Sequence, residues 1–369
     1  MAKVKYYDLS NILKYNARYN LIFGERSNGK TYQVQLYGVK KYLEDGSKIA
    51  VIRRWREDFR GKRGGQYFNN LTYNGKGENV IKKLTKGKFD QVVYRSSAWF
   101  LAYFDDESQT TITEPEPFAY TFALTEMEHD KGNSYNINTV LFDEFMTRGA
   151  YLPDEFVSFM NTLSTIIRAR DTVKIFMCAN TVSKYCPYFN EMGLKHVKQM
   201  KKGDIDLYKY TNEGLTVAVE YSDSPNISKP SDVYFAFDNP KLQMITSGTW
   251  ELDLYPHLTE KIEDKDILFS YFIEFDNNLL QADIIITSFS RFTFIHNKTT
   301  PIKKPDEDII FTTEASEHMN RYTSLVKPID KISTKIITFF SANKVFYQTN
   351  EIGEIVNQYL NTSRRIAMK

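Results

Sequence analysis

Apolar residues gather in short runs at 18–23, 48–53, 91–94, 99–104, 118–124, 138–142 and 173–179. Each run has the length and the β-branched or aromatic content of a strand. Between several of them apolar positions recur at helical spacing, over 30–43 and 154–169. Strands alternating with helices predict a mainly parallel sheet flanked by helices, because a parallel crossover needs a connection long enough to hold one. The stretch 98–125 departs from that rule, and its two strands about a polar, proline-containing turn predict an antiparallel addition. After Asn180 the pattern loosens, with "KKGD" at 201–204 and "SDSPNISKPSD" at 222–232 reading as loop. The expected organisation is a first domain over 1–205, a linker region over 206–250 and a smaller α+β domain over 251–369. In that last domain "ILFSYFIEFDNNLLQADIIITSFSRFTFI" (267–295) reads as three strands with "DNN" as a hairpin turn, and 351–369 as an amphipathic helix with a basic end. No internal repeat or low-complexity tract is visible.

Composition changes this picture little. With 42% hydrophobic and 25% charged residues the chain is globular, and its 25 Tyr and 26 Phe residues suit half-buried sheet faces. A net charge of +2 exerts no global pull on a polyanion. Any nucleic-acid contact therefore falls to local clusters such as "RRWREDFRGKRGG" at 53–65. The two cysteines, Cys178 and Cys186, match no zinc or disulfide framework and are expected as reduced thiols. The N-terminus lacks the apolar core of a signal peptide, and no window reaches the length of a membrane span. A protein that stays in the cytoplasm of the cell making it, with no membrane contact, is expected.

The first run is followed at once by Gly24, Glu25, Arg26, Ser27, Asn28, Gly29, Lys30 and Thr31, which fit G-x-x-x-x-G-K-[ST] at every fixed position. Glycines there let backbone N–H groups face phosphate oxygens without a Cβ in the way, and the helix that follows aims its positive end at the same anion. Lys30 is then expected to reach the β- and γ-phosphates of ATP, and the Thr31 hydroxyl to ligate Mg2+. Downstream, "TVLFDEF" (139–145) ends a strand in Asp143 and Glu144. The C-terminal ends of parallel strands form the ligand edge, so Asp143 is expected in the Mg2+ shell and Glu144 beside the attacking water. The adjacent Glu favours a motor-type ATPase over a nucleotide switch or a small-molecule kinase. Asn180, at the end of the next run, reads equally as a γ-phosphate sensor or an ordinary turn residue. Arg168 and Arg170 close the second helical pattern. At a helix C-terminus arginines compensate the dipole, but one lent to a neighbouring subunit can also stabilise transition-state charge.

"YNLIFGERSNGKTYQVQLYGVKKYL", "IAVIRRWRED", "TVLFDEF" and "TIIRARDTVKIFMCAN" resemble, in order and spacing, the DNA-packaging ATPases of phi29-like tailed phages across 6–190, and more weakly beyond. The resemblance implies a P-loop domain of the additional-strand class (RecA/FtsK-like) in a pentameric ring. Such a ring docks on the portal of an empty prohead and drives double-stranded DNA inward with ATP, with a structural RNA as a further possible partner. It is not expected in the mature virion. It also implies that Arg168 is the trans-acting finger, with Arg170 as rival, and that Arg56 stands where the relative uses Lys in a second trans contact. The C-terminal domain would resemble an RNase H-like nuclease fold that has lost its activity.

That last expectation can be weighed on the residues. A nuclease needs acids converging on metal ions. Glu274, Asp276 and Asp283 lie in the strand region, but Asp276 sits in the "DNN" turn and no partner set follows, so cleavage is not expected. A packaging motor grips the phosphate backbone without reading bases. The polar stretch 126–136, with Lys131 first, is one candidate for that grip. The basic segment Arg53 to Arg63, with Arg60, Lys62 and Arg63 in a Gly-rich loop suited to mobility, is another, with the next subunit's nucleotide as its alternative target. The C-terminal cations Lys303, Lys304, Arg364, Arg365 and Lys369 are a third, toward DNA, portal or a structural RNA. Two readings compete with the packaging motor: another ring ATPase such as a helicase, and a nucleotide-binding scaffold that does not hydrolyse.

Overall fold

The computed structural model describes residues 6–74, 77–126, 136–147, 149–168, 170–182, 185–210, 214–223, 255–258, 262–288, 290–328 and 330–367. The chain divides into two compact units. The first comprises Met1–Met146, Asp154–Thr181 and Tyr188–Thr249; the second comprises Thr147–Pro153, Val182–Pro187 and Trp250–Lys369.

Unit 1 runs α1 (Ser10–Leu13), β1 (Tyr19–Gly24), α2 (Lys30–Asp45), β2 (Lys48–Arg53), the short helices α3 (Lys62–Gln66), α4 (Asn69–Thr72) and α5 (Val80–Leu84), then β3 (Gln91–Arg95), β4 (Ala98–Asp105), β5 (Thr110–Thr113) and β6 (Ala119–Ala123). It continues through β7 (Ile137–Asp143), α6 (Glu155–Ile167), β8 (Lys174–Asn180), α7 (Pro187–Glu191), β9 (Ile205–Tyr210) and β10 (Leu215–Ser222). The strands form one sheet in the order β3-β4-β6-β2-β7-β8-β1-β10-β9, with β5 on β4. From β6 to β10 all pairings are parallel. The antiparallel addition lies at the β3-β4-β5 end, as the pattern at 98–125 predicts.

The central strands are buried on both faces, which explains their near-continuous apolar runs. On one face Ile22, Leu141, Phe176 and Ala218 pack with Val34 of α2. On the other, Phe142 meets Phe159 of α6 with ring centroids 4.9 Å apart. Parallel register brings strand ends level: Gly24 pairs with Asn180 and with Ser222, and Asp143 with Cys178. The C-terminal ends of β1, β7, β8 and β10 thus share one edge. The expected linker needs correction, because β9 (Ile205–Tyr210) and β10 (Leu215–Ser222) fall almost wholly in its range, and β10 runs parallel to β1 as part of the large sheet. Val217, Ala218 and Val219 are fully or almost fully buried there.

Unit 2 holds β11 (Ile267–Phe275), β12 (Asn278–Ile286), β13 (Arg291–Asn297), β14 (Ile310–Phe311), β15 (Arg321–Tyr322), α8 (Lys331–Ser341), β16 (Val345–Tyr347) and α9 (Asn350–Ala367). Its sheet order is β15-β14-β11-β12-β13-β16. The turn between β11 and β12 uses Asp276 and Asn277 at φ 49° and 59°, the two left-handed residues of a tight hairpin. The predicted C-terminal helix is α9, which buries Ile352, Ile355, Val356 and Tyr359, one stripe at helical spacing.

Candidate functional site

Two glycines shape the turn after β1. Gly24 has φ +154°, and a Cβ on it would lie 2.2 Å from Ser222 Oγ at the end of β10. Gly29 caps α2 at φ +93°, a left-handed conformation that glycine adopts without strain. Between them Asn28 is fully buried; its amide donates to Ser222 Oγ at 2.9 Å, and its backbone carbonyl accepts from Tyr7 N at 2.9 Å. Tyr7 in turn donates its hydroxyl to Glu220 at 2.7 Å. Burial pushes the Glu220 carboxyl up to about 7, against the Tyr7 hydrogen bond. The loop is therefore braced from the N-terminal segment and from β10, neither of which the motif alone discloses.

Lys30 begins α2 and is 5% exposed. Its amine donates to Glu25 O at 2.5 Å and to Asn28 Oδ1 at 3.0 Å. Burial pulls its pKa down to about 8, although Cys178, Asp143 and Glu25 act the other way. Glu25, buried, pairs through one carboxylate oxygen with Lys202, and its other oxygen is buried without a partner. Arg26 and Ser27 are exposed at the tip.

Thr31 Oγ1 donates to Asp143 Oδ1 at 2.8 Å, which joins the start of α2 to the end of β7. The other Asp143 oxygen takes Arg53 Nη2 at 2.7 Å and the Tyr67 hydroxyl at 3.0 Å. Arg53 Nη1 reaches Glu144 Oε2 at 2.9 Å. Burial opposes the Arg53 charge, yet Asp143, Tyr67 and Glu144 hold its pKa above the ordinary value. Glu144 has φ +62°, and its N–H donates to Cys178 O at 2.8 Å. These groups border a cleft of about 760 Å³ lined by Ser27 through Thr31, Asp143, Glu144 and Asn180. An anchored amine, a hydroxyl and two carboxylates on one sheet edge form a site suited to a phosphate chain and a hard cation.

The remaining predicted residues fall elsewhere. Arg168 ends α6, exposed and at φ 51°, ψ −127°; Arg170 donates from Nε to Ile167 O at 3.1 Å and from Nη2 to Ile166 O. Both precede β8 and so lie at the sheet edge opposite Lys30, where Arg18 donates to Arg170 O at 2.7 Å. Arg56, just past β2, pairs with Glu126. Arg60, Lys62 and Arg63 are exposed, but Lys62 and Arg63 begin α3 where a Gly-rich loop was expected. Packing accounts for that difference: Trp99 donates to Gly64 O at 2.8 Å, and Gly64 sits against Phe59 O and the Tyr94 ring. Lys131 lies outside the described residues. In unit 2, Asp283 accepts from Ser270 at 2.6 Å and meets His296 at 2.9 Å, Glu274 pairs with Arg321 at 2.6 Å, and Asp276 accepts from Tyr185. Each acid has its own partner, and among the described residues no cluster of His, Cys, Asp or Glu is arranged to hold a metal ion.

Sequence reasoning gave Arg53 and Arg54 only as part of a basic segment for DNA or a neighbour's nucleotide, not as partners of Asp143 and Glu155, and it did not single out Tyr67. Arg54 is 5% exposed and donates two hydrogen bonds to Glu155, from Nε to Oε2 at 2.6 Å and from Nη2 to Oε1 at 2.7 Å. Arg53 and Arg54 alternate across the end of a strand, so one meets Asp143 and Glu144 and the other meets Glu155 in the core.

Fold and site together define a mixed α/β protein with a large, mainly parallel sheet and a glycine turn beside strand-end carboxylates. Comparison with known proteins narrows this. The profile of the podovirus DNA encapsidation protein (Gp16) family matches residues 1–229, more than half of the 369, and the chain belongs to that family. The DNA packaging protein of Bacillus phage phi29 is 23% identical over 193 residues, covering 51% of this chain and 50% of the relative. That of Bacillus phage B103 is 23% identical over 221 residues, 59% and 58% of the two lengths. The chain thus spans between half and three-fifths of the curated relatives it matches. Among solved structures, the bacteriophage phi29 viral genome packaging motor assembly aligns with a TM-score of 0.60 at 18% identity, over 98% of this chain and 100% of that one. The phi28 gp11 DNA packaging motor aligns at 0.56 and 15%, over 98% and 99%. At such identities the likeness concerns the fold.

Proposed function

We propose that the chain is the ATP-hydrolysing subunit of a ring motor that drives double-stranded phage DNA into a preformed prohead. One observation carries the chemistry: Thr31 Oγ1 lies 2.8 Å from Asp143 Oδ1, on the edge where Lys30 and Glu144 border the same cleft. The sheet order supports an additional-strand ATPase, since β8 stands between β1 with its phosphate loop and β7 with its carboxylates. Lys30 binds the β- and γ-phosphates and Glu144 orients the attacking water. The donor set of a hydroxyl beside a carboxylate fits Mg2+, which takes few protein ligands and leaves the rest to water and phosphate; Thr31 and Asp143 would hold it, and it would neutralise phosphate charge. Asn180, level with Gly24 at the cleft, serves as γ-phosphate sensor.

Because Arg168 and Arg170 stand at the opposite sheet edge, they act only on a neighbour's nucleotide, which supports a ring, by family resemblance a pentamer. Arg56, at the ligand edge, is read as a second contact between subunits. DNA is gripped by exposed cations, Lys131 or Arg60, Lys62 and Arg63, through its phosphates. The motor works in the host cytoplasm on the prohead portal, with a structural RNA as a candidate partner. Unit 2 is read as an RNase H-like fold without nuclease activity; Glu274 and Asp283 lie about 13 Å apart along the strands, at ~3.3 Å per residue from the paired position Ser270.

The test is Glu144→Gln. Hydrolysis is expected to fall at least about a hundredfold while ATP binding persists, since general-base catalysis contributes ~10²–10⁴. Packaging unchanged by that substitution would favour a scaffold. Faster translocation on single strands than on duplex would favour a helicase.

A further inference from the structure

We propose that Arg54 is a positioning residue for hydrolysis, fixing the backbone that carries Glu144 by tying it to the first residue of α6. The inference rests on reading Glu144 as the group that orients the attacking water.

The Glu144 side chain is 61% exposed, so core packing does not set its direction. The Arg53 pair at 2.9 Å and the residue's own backbone do so, and that backbone is in a left-handed conformation, φ +62°, which a non-glycine residue keeps only with outside support. Support comes from two sides. Toward β8, the N–H groups of Glu144 and Phe145 both donate to Cys178 O, at 2.8 and 3.3 Å. Toward the core, both carbonyls accept from Arg54, Glu144 O from Nη1 at 3.3 Å and Phe145 O from Nη2 at 2.9 Å. Two consecutive peptide units are thus held by donors and acceptors at once.

Arg54 is itself immobilised. Glu155, whose side chain is 1% exposed, takes its guanidinium in the two-bond geometry, and the buried Tyr188 hydroxyl donates to Glu155 Oε1 at 2.8 Å. Around them stand Phe142, Phe145 and Phe159, all fully buried. Desolvating two charges there is costly, and a buried ion pair is weak evidence for stability. Stability alone therefore does not account for an ion pair at this place. A planar fork that can hold a carboxylate and two carbonyls together does.

The experiment uses the full chain on proheads with DNA, where ATP hydrolysis by the wild type is the reference. Arg54→Met with Glu155→Met removes both charges of the pair at once, at the cost of the bonds they make to the Tyr188 hydroxyl and to the two carbonyls. The double variant is expected to stay folded with a lower melting temperature, since the Tyr188 hydroxyl and two carbonyls lose a partner. It should keep KM and the affinity for a fluorescent ATP analogue within about threefold and lose kcat about 10- to 100-fold, the scale of an ångström-sized misplacement. Arg54→Lys, which keeps the charge without the fork, should fall between. Wild-type kcat in a folded double variant would overturn the proposal, as would kcat and nucleotide affinity falling together. Should the double variant not fold, Glu155→Gln is read instead: a lower kcat at constant KM supports the role, and an unchanged kcat overturns it. A wild-type chain that hydrolyses no ATP would overturn the hydrolytic reading beneath the proposal, a result visible before any variant is made.

Discussion

Lys30 shows how a single buried group links folding, nucleotide and pH. Burial holds its amine near 8, below the 10.5 of an exposed lysine. The unfolded chain therefore binds this proton more tightly, so the group's contribution to stability improves as pH rises from about 8 towards 10.5. Nucleotide binding has the opposite sign, because a polyphosphate favours the ammonium. ATP binding is expected to take up a proton above pH 8 and to weaken as pH rises further. Calorimetry in two buffers of different ionisation heat would show this, and proton uptake of zero at pH 9 would contradict it. The glycine turn at 24–31, between β1 and α2, was legible in the sequence because its residues are contiguous. Arg53 and Arg54 were not, since a run of cations in one chain reads as surface. Their partners Asp143 and Glu155 stand 90 and 101 residues away, at separations no local pattern reports.

Among the elements, α6 separates two arginines that a sequence cannot rank. Arg170 turns back on the carbonyls of Ile166 and Ile167 and so closes the helix; burial and then the charge of Arg168 lower its pKa. Arg168 is exposed and sits at φ 51°, ψ −127°, a region where non-glycine residues are strained by ~1–3 kcal/mol. Strain kept at an exposed guanidinium is the pattern of a residue retained for function. Arg168→Gly is accordingly expected to raise stability by about 1 kcal/mol while lowering ring ATPase activity about 10³-fold. Arg170→Ala should instead cost about 1–2 kcal/mol of stability through the lost carbonyl bonds. Thermal melts beside turnover measurements separate the two, and a destabilised Arg168→Gly would remove the strain argument. Elsewhere the short apolar runs and the period-3.6 pattern located β1, α2, β2, β7, α6 and β8. They failed at β9 and β10 because β9 is an edge strand, half exposed along its length, and β10 carries the buried Glu220 amid its apolar residues. Only pairing with β1 makes β10 a core strand, and that is tertiary information.

For the whole molecule, the position of the arginines decides whether one chain can work alone. Within unit 1, Lys30 and Glu144 stand at the C-terminal edge of the parallel strands, and Arg168 stands at the end of α6, before β8 begins. Seven strand residues from Lys174 to Asn180 separate those edges, about 20 Å at ~3.3 Å per residue, beyond the reach of any arginine side chain. On the proposed ring reading each site is completed by a second copy, and two differently crippled subunits should repair one another. Arg168→Ala keeps an intact site but lends no guanidinium, while Glu144→Gln lends one but has no hydrolytic site. Either alone is expected to be inactive on the prohead. Mixed one to one at random, about one seam in four joins a sound site to a sound donor, so ATP hydrolysis should return to roughly a quarter of the wild-type rate if seams act independently. Replacing Arg168→Ala by Arg170→Ala in the same mixture asks which arginine crosses the seam, since only loss of the true donor gives a subunit that is inactive alone and rescued in company. Recovery no greater than the sum of the separate variants would mean that no arginine is shared, and the ring would then have to be argued on other ground.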